Sequence, residues 1–271
     1  MSQSNASRVT RVWPGPSLGE VSAYPRERVL GHPVDSVGMD EAVAAIVARG
    51  TTGRGGYVCL TNVDSTVTSQ SLPPLRRAAE NSYLSVPDGM PLVWILQRRG
   101  HRSAGKVTGI ELIPRVARAG RSDGLRHYFY GGAPGVAQAA ADRLVKMVPG
   151  TLIAGAASPP FGSIDELEAE DLARRLRETP TDVVWVGLGA PKQELWMAKV
   201  TKQIEGPVLV GVGAAFDFLA GTKKAAPRFI SRLGFEWLYR LLTEPRRLWR
   251  RYLVGNTRFI WLLARSAGRG S

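Results

Sequence analysis

The sequence predicts an α/β fold with a mostly parallel, Rossmann-like sheet, helices on both faces of that sheet and a basic helical appendage at the C-terminus. From about residue 28 to residue 221, short apolar runs alternate with helical patterns, and repeated strand-helix units are typical of parallel sheets. Several of the apolar runs end in glycine-containing turns. After Gly221 the alternation stops and basic residues become concentrated.

Length and composition indicate one sizeable domain with additional segments at its ends. The chain has 271 residues, 44% of them hydrophobic, which is enough to build a buried core. Its single cysteine, Cys59, excludes a disulfide within the chain and fits a reducing cytoplasm. Residues 1–28 are rich in Ser, Pro and Arg and lack the apolar stretch of a signal peptide, so we expect a disordered tail. We therefore divide the chain into this tail, a core over 29–221 and an appendage over 222–271.

The strands of the core are predicted from short apolar runs that end at turn signals. The run from Tyr57 to Leu60 is apolar throughout, as in a strand that is buried on both faces. The run before Gly131 and Gly132 ends at a glycine turn. The predicted strands are 29–37 (a strand pair), 56–62, 83–86, 126–130, 151–157, 182–186 and 207–212.

The helices are predicted from amphipathic patterns and from residues suited to helix ends. Asp40 is expected to cap the first helix, and Pro134 and Pro191 each stand where a first helical turn begins. Glu170 and Asp171 each lie four residues before an arginine, which favours a solvated helix face. The predicted helices are 40–48, 75–81, 90–98, 110–119, 134–147, 164–178, 191–200, 227–243 and 245–265.

The segment 183–194 is the most informative local pattern. A short apolar run is followed by a turn containing Gly187 and Gly189, and then by Pro191 at the start of a helix. A strand, a glycine turn and a helix N-terminus together form the kind of site at which open α/β sheets bind nucleotides. Lys192 replaces the third glycine of the dinucleotide fingerprint, and the Walker order of residues is absent. On spacing alone, an ordinary strand-to-helix turn with a surface Lys-Gln-Glu triplet explains the pattern equally well.

Polar side chains follow several of the predicted strands. Asp64, Asp88 and Asp217 contribute carboxylates, and Asn62 and Gln193 contribute amides. Because the carboxyl ends of parallel strands lie at one edge of a sheet, we expect these loops to converge there. Such groups suit a uridine diphosphate ligand together with a general base. The sequence has no Asp-x-Asp motif, no metal-spaced histidines and no apparent Ser/His/Asp or Cys/His set, so we expect neither a metal nor a cofactor.

Asp88 has two interpretations. It follows a predicted strand and, with Gly89, precedes the apolar helical run of 90–98. On the residues alone a helix N-cap is favoured, because aspartate is among the residues preferred at that position. The alternative is a general base that removes a proton from a reacting group.

The last fifty residues carry most of the net charge. Residues 222–271 contain 12 of the 36 Lys and Arg residues but only 2 of the 23 Asp and Glu residues. On a helical wheel of 245–265, six arginines fall opposite an apolar side, although Gly255 weakens the helix. This profile is typical of a helix at an anionic membrane surface, and equally of one that packs its apolar side on the core. No run reaches the roughly 18 apolar residues of a membrane span. The apolar side comprises Leu248, Trp249, Tyr252, Leu253, Phe259, Ile260 and Leu263.

The order and spacing of these segments resemble the WecG/TagA/CpsF family of glycosyltransferases over roughly residues 56–254. The resemblance implies an inverting, metal-independent transfer from a UDP-sugar donor to a polyprenyl-diphosphate-linked acceptor at the cytoplasmic membrane. The matching segments are 61–62, 86–89, 106–111, 131–137, 186–194 with Trp196, 211–213, 216–217, 220–221, 226–227, 233–241 and 244–247.

The resemblance also implies roles for individual residues. Asp88 becomes the candidate general base, which takes the proton of the acceptor hydroxyl. Asp217 matches an acidic position beside the nucleotide, and arginines of the appendage are expected to close over the site and offset diphosphate charge. The candidate substrate-binding residues are Thr61, Asn62, Lys106, Gly132, Gln193, Asp217, Arg240, Arg247 and Arg250.

Two positions depart from the family pattern. Lys106 stands where many members carry arginine, and Glu111 stands where many carry aspartate. Lysine keeps the charge but loses the fork geometry of the guanidinium group. These departures leave the identity of the donor sugar open.

We therefore expect a glycosyltransferase bound peripherally at the inner face of the plasma membrane, with 222–271 contacting an anionic membrane surface and no nucleic-acid partner. Oligomerisation stays open. The rival is a non-enzymatic nucleic-acid-binding protein that uses the arginine-rich C-terminal segment. Asp64, Asp88 and Asp217 argue against it, because carboxylates along one edge would repel phosphates. The missing third glycine and the lack of a catalytic histidine argue against a nicotinamide dehydrogenase.

Overall fold

The computed structural model describes residues 24–160, 162, 169–223, 236–243, 249, 253 and 255–267. A hairpin of β1 (Arg26–Val29) and β2 (His32–Asp35) is antiparallel. The remaining strands are β3 (Tyr57–Thr61), β4 (Leu84–Pro87), β5 (Arg126–Gly131), β6 (Leu152–Ala157), β7 (Val183–Gly187) and β8 (Val208–Gly211). They form a six-stranded, all-parallel sheet in the order β4-β3-β8-β7-β5-β6. The predicted α/β fold with a mostly parallel sheet is confirmed.

Helices lie on both faces of this sheet. The first half of the chain contains α1 (Met39–Thr52), α2 (Val63–Thr68), α3 (Pro73–Glu80), α4 (Met90–Arg98) and α5 (Gly109–Ala119). The second half contains α6 (Val136–Met147), α7 (Ala169–Glu178), α8 (Lys192–Val200), α9 (Ala215–Leu219), α10 (Glu236–Thr243) and α11 (Gly255–Ala267). α1, α5 and α6 cover one face, and α7 and α8 cover the other.

Successive residues of β7 alternate between the two apolar layers. Trp185 joins Phe129 in the cluster beneath α1, α5 and α6, whereas Val184 and Val186 join Tyr130 in the cluster beneath α7 and α8. This alternation follows from the two-residue period of a strand. Because both faces are covered, nearly every residue of the central strands is apolar, and each fully buried large side chain contributes roughly 1.5–3 kcal/mol.

The N-terminus of α1 differs from the prediction. Its N-cap is Gly38, whose N–H donates to the Glu41 carboxylate at 2.6 Å. Asp40 lies inside the first helical turn and pairs with Arg115. The predicted capping role of Asp40 is therefore wrong, because the next residue, Glu41, forms the hydrogen bond with the N-cap.

The hairpin covers the outer edge of the sheet, beside β4. Arg26 forms two hydrogen bonds with the buried Asp35 carboxylate, at 2.7 and 2.8 Å. Asp35 also accepts the Ser85 N–H of β4 at 2.6 Å, and the Ser85 hydroxyl donates to the Pro33 carbonyl at 2.8 Å. Residues 26–28 thus belong to a strand, which corrects the predicted tail boundary at residue 28. Polar groups of Ser85 on the open edge of β4 therefore form hydrogen bonds with the hairpin instead of with solvent.

The last helix, α11, packs against α2 and completes a third apolar cluster. Phe259 is only 4% exposed and joins Val29 of the hairpin and Leu96 of α4, while Ile260 and Trp261 remain 67% and 56% exposed. Packing of the helix on the core, one of its two interpretations, is thus confirmed for Phe259. Leu248 and Tyr252 of the predicted apolar side lie outside the described residues. Within the described helices, none is long and apolar enough to cross a membrane.

Candidate active site

Five neighbouring strands bring the predicted site residues to the same edge of the sheet. In sheet order, Asp88 follows β4, Asn62 follows β3, Asp217 follows β8, Gln193 follows β7 and Gly132 follows β5. All of these strands are parallel, so their carboxyl ends lie on one side. This edge is where open α/β sheets bind ligands.

Asp88 is half-buried and does not cap a helix. The N-cap of α4 is Gly89, which adopts a φ of 154° that an L-residue rarely takes, and no side chain caps that helix. The Asp88 N–H donates to the Thr61 carbonyl at 2.7 Å, which ties the loop to the end of β3. Asp88 therefore lies one position before the N-cap, and its interpretation as the N-cap of α4 is wrong.

Thr61 and Asn62 each form hydrogen bonds with residues near the end of β3. Thr61 is buried, and its hydroxyl lies 2.7 Å from the Ser85 hydroxyl and 3.4 Å from His32 Nε2. The side-chain oxygen of Asn62 accepts the Ser65 N–H at 3.1 Å and thereby caps α2. Thr61 is therefore buried at the end of β3 and bonded to neighbouring side chains, whereas the half-buried Asn62 lies at the carboxyl edge of the sheet.

The loop with Lys106 runs alongside the Asp88 loop. The Val107 N–H donates to the Pro87 carbonyl at 2.9 Å, and Lys106 is half-buried. The next residue, Thr108, is buried, and its hydroxyl has no hydrogen-bond partner among the described residues. Thr108 was not predicted from the sequence, although a threonine immediately before a helical run is a recognisable N-cap signal.

The glycine ends of β5 and β7 leave room for an aromatic ring beside the site. The Gly132 N–H donates to the Gly187 carbonyl at 2.9 Å. A Cβ atom on Gly187 would lie 2.6 Å from the ring of Phe216. Asp217, the neighbour of Phe216 in α9, is half-buried, and its carboxylate lies 3.6 Å from Lys223 Nζ. The glycines therefore position α9 and its carboxylate at the edge.

The Lys-Gln-Glu triplet after β7 is not a surface feature. Gln193 and Glu194 are each 3% exposed, and Gln193 Nε2 donates to Glu194 Oε1 at 3.0 Å. Lys192 donates to the Gly162 carbonyl and so ties the turn after β7 to the segment after β6. The interpretation as an ordinary turn with a surface triplet is wrong at both Gln193 and Glu194.

The appendage arginines are described only in part. Arg240 lies in α10, and Arg247 and Arg250 lie outside the described residues. In the described part of the chain, no three His, Cys, Asp or Glu residues come together as a metal-ligating group. The roles of the three arginines and the independence from metal stay predictions.

The all-parallel sheet, its glycine turns and the polar groups at its carboxyl edge define an open α/β fold with helices on both faces. The sequence model described as "Glycosyl transferase WecG/TagA/CpsF family" matches residues 27–271. The chain therefore belongs to the WecG/TagA/CpsF family of glycosyl transferases.

Two relatives carry the same descriptive name, N-acetylglucosaminyldiphosphoundecaprenol N-acetyl-beta-D-mannosaminyltransferase. The protein from Bacillus spizizenii is 29% identical over 200 residues, which span 74% of this chain and 76% of the relative. The protein from Staphylococcus aureus is 32% identical over 169 residues, which span 62% of this chain and 64% of the relative. Both names describe transfer of an amino sugar to a lipid-diphosphate-linked sugar.

Proposed function

We propose that this protein is an inverting, metal-independent glycosyltransferase that moves a sugar from a UDP-sugar to a polyprenyl-diphosphate-linked saccharide during polysaccharide or cell-wall glycan precursor synthesis. The observation that carries this proposal is the half-buried Asp88, which lies at the carboxyl edge of the sheet, one position before the N-cap of α4. Family membership and the names of the two relatives support the choice of reaction.

In the proposed reaction, the Asp88 carboxylate removes the proton of an acceptor hydroxyl. The hydroxyl oxygen then attacks the anomeric carbon of the donor, while the bond between that carbon and the diphosphate oxygen breaks. UDP leaves with the bonding electron pair, and the proton remains on Asp88. Attack opposite to the leaving group inverts the anomeric configuration, and one positioned carboxylate is enough for such a displacement.

Cationic side chains are proposed to offset the charge of the departing diphosphate. Lys106 is half-buried beside the Asp88 loop, and the appendage contributes Arg240, Arg247 and Arg250. Guanidinium groups can bind phosphate oxygens in a bidentate manner and need no metal to do so. Asp217 and Gln193 are proposed to contact the nucleotide and the donor.

We further propose that the protein works peripherally at the inner face of the plasma membrane. Trp261 is exposed on α11, with the Arg265 guanidinium 5.2 Å from its ring, and Ile260 is exposed beside it. Aromatic and aliphatic side chains next to arginines favour the interface of an anionic bilayer. The acceptor's polyprenyl chain would lie in the same bilayer.

A donor screen tests the proposed function. Purified protein would be incubated with individual UDP-sugars and short-chain lipid-diphosphate acceptors, and UDP release would be measured with and without EDTA. We expect acceptor-dependent UDP release that survives the chelator. Release restored only by magnesium or manganese would overturn metal independence. The absence of turnover with every donor, combined with tight RNA binding, would favour the nucleic-acid rival.

A further inference from the structure

The buried pair of Gln193 and Glu194 has a fixed hydrogen-bond polarity. A carboxylate oxygen accepts hydrogen bonds, whereas an amide side chain has one end that donates and one that accepts. Because Gln193 Nε2 donates to Glu194 Oε1 at 3.0 Å, the carbonyl end of the Gln193 amide faces away from Glu194. The carboxylate therefore selects one of the two orientations of the amide.

The carbonyl oxygen of Gln193 is buried and has no hydrogen-bond partner within the described part of the chain. Leaving a buried acceptor without a partner is destabilising, and a bound ligand that supplies the missing donor is one reason for a native fold to contain such an atom. The Thr108 hydroxyl, the Trp196 indole N–H and the second carboxylate oxygen of Glu194, Oε2, are further buried atoms without a hydrogen-bond partner among the residues that the structure describes. Gln193 Oε1 differs from them in being an amide oxygen whose orientation is set by the neighbouring carboxylate.

The unsatisfied oxygen lies at the ligand edge, between the turns after β7 and β8. Gln193 Oε1 lies 3.6 Å from the position that a Cβ atom on Gly213 would take. On Gly211, a Cβ atom would lie 3.1 Å from Gln193 Nε2 and 2.7 Å from the Met197 methyl group. Gly211 at the end of β8 therefore leaves the space that the Gln193 side chain occupies, and the turn after it, with Gly213, leads into α9 with Asp217.

We propose that Glu194 is a positioning residue that holds the Gln193 carbonyl toward the site, so that this position selects a donor substrate with a hydroxyl or N–H group. The proposal rests on the proposed function, since it takes the ligand to be a UDP-sugar. Two parts of that ligand carry such donors: the sugar, through its hydroxyl or acetamido groups, and the uracil, through its imide N–H. A site built to accept one hydrogen bond discriminates strongly against a ligand that lacks the donor.

Four variants test the proposal in the full-length protein. Glu194→Gln keeps the shape of the side chain but lets the Gln193 amide turn over, and Gln193→Ala removes the acceptor. The double variant Gln193→Ala/Glu194→Gln asks whether Glu194 acts through Gln193. The exchange Gln193→Glu/Glu194→Gln preserves the net charge and again leaves one acceptor oxygen facing the site. Glu205→Gln, which removes an exposed carboxylate beyond α8, is the matched control.

We expect Glu194→Gln to raise the donor KM about tenfold, with kcat within about threefold of the parent value. Glu194→Gln should add nothing in the Gln193→Ala background, and the exchange variant should recover most of the parent KM. If Glu194 had a merely structural role, the increases in donor KM would add in the double variant, and the exchange variant would not recover the parent KM. An unchanged KM in Glu194→Gln, or an exchange variant as impaired as Gln193→Ala, would overturn the proposal. If Glu194→Gln does not fold, the donor KM of the exchange variant is compared with that of Gln193→Ala, and a lower KM in the exchange variant supports the proposal.

Equilibrium binding distinguishes the two sources of the donor group. Calorimetry with UDP alone and with the active UDP-sugar would be run on the parent protein and on Glu194→Gln. Weakening of both ligands assigns the uracil imide, and weakening of the UDP-sugar alone assigns the sugar. Unchanged affinity for both overturns the proposal while leaving the glycosyltransferase activity intact. A parent protein that transfers no sugar from any donor would instead reject the proposed function itself.

Discussion

Asp88 is the residue on which the proposed chemistry depends. Replacing it with asparagine keeps the shape of the side chain and removes its basicity. Loss of a general base typically slows an enzyme roughly 10²–10⁴-fold, so we expect kcat of Asp88→Asn to fall within that range while UDP affinity changes little. Steady-state UDP release and calorimetric UDP binding would be measured on the same preparation.

Asp123→Asn is a suitable comparison for Asp88→Asn, because Asp123 is exposed in the turn between α5 and β5. It should retain the parent rate. Turnover near the parent value in Asp88→Asn would reject the general-base assignment and direct attention to Asp64 and Asp217, which are also half-buried.

Two buried histidines make stability depend on pH. Burial lowers the pKa of both His32 and His127 to about 4, against about 6.5 in an unfolded chain. The unfolded state therefore binds more protons between these values. The stability that both residues confer is fully present above pH 6.5 and is lost as the pH falls toward 4, by about 3 kcal/mol for each histidine.

Urea unfolding at several pH values between 7.5 and 4.5 would measure this loss. The Trp185 indole donates to His127 Nδ1 at 3.3 Å, so His127→Gln keeps an acceptor there and removes the titration. We expect a shallower pH dependence in His127→Gln than in the parent. Identical slopes in the two proteins would exclude His127 as a source of acid sensitivity.

At the residue level, the prediction that the candidate site residues gather at one edge of the sheet is confirmed, but some local roles were assigned wrongly. Asp88 and Gln193 were placed at the ligand edge because strand ends can be read from apolar runs. The capping of α4 by Gly89 could not be predicted, since it depends on a backbone angle of 154°. The burial of Glu194 was also missed, because a polar triplet after a turn is normally solvated and only the packing of α8 buries it.

At the level of elements, the contact between Gly187 and Phe216 links a strand end to α9. A methyl group on Gly187 would lie 2.6 Å from the Phe216 ring. Overpacking of this kind typically costs 1–3 kcal/mol, so we expect Gly187→Ala to lower the free energy of unfolding by about that amount. Because α9 must shift, we also expect weaker UDP binding, measured by calorimetry.

Gly255→Ala provides the contrast for Gly187→Ala. Gly255 begins α11, and an added Cβ atom would meet nothing within 4 Å. Alanine at this position should leave the unfolding free energy unchanged or raise it slightly, because alanine is a better helix former. Equal effects of the two substitutions would show that the contact with Phe216 has no special cost.

Periodicity predicted the long elements well and the short ones poorly. The parallel strands and helices such as α6 repeat their apolar pattern often enough to be recognised. α2 and α9 have six and five residues, too few for a helical period, and both were interpreted as loops. Arg26–Val29 was partly assigned to the tail because it is rich in charge. It becomes a strand through its pairing with β2 and the Arg26–Asp35 ion pair.

At the level of the whole molecule, the basic C-terminal region is predicted to bind an anionic membrane. Arg258 and Arg265 are exposed on α11, away from the arginines assigned to the site. Each basic residue near an anionic leaflet contributes about 1 kcal/mol, so reversing both charges should weaken liposome binding at least tenfold. The same variant should keep its turnover on a soluble acceptor.

Co-sedimentation with anionic liposomes across a salt series would measure that binding, with neutral liposomes as the reference. Binding of the parent protein should weaken as salt increases, because surface charges are screened. If the parent protein binds neutral and anionic liposomes equally, the electrostatic part of the membrane proposal fails. Deleting everything after Gly221 is a poorer test, since it also removes Phe259 from an apolar cluster of the core.

The same cluster has a consequence for how the protein is made. Val29 and Val34 of the hairpin and Phe259 of the last helix share one apolar cluster, although about 230 residues of chain separate them. A ribosome releases the hairpin long before α11, so the cluster stays open throughout most of synthesis. During that interval Val29, Val34 and Leu96 offer an apolar surface to chaperones or to other nascent chains. Helix α11, which emerges long after the hairpin, therefore completes a cluster begun by the first strands of the fold.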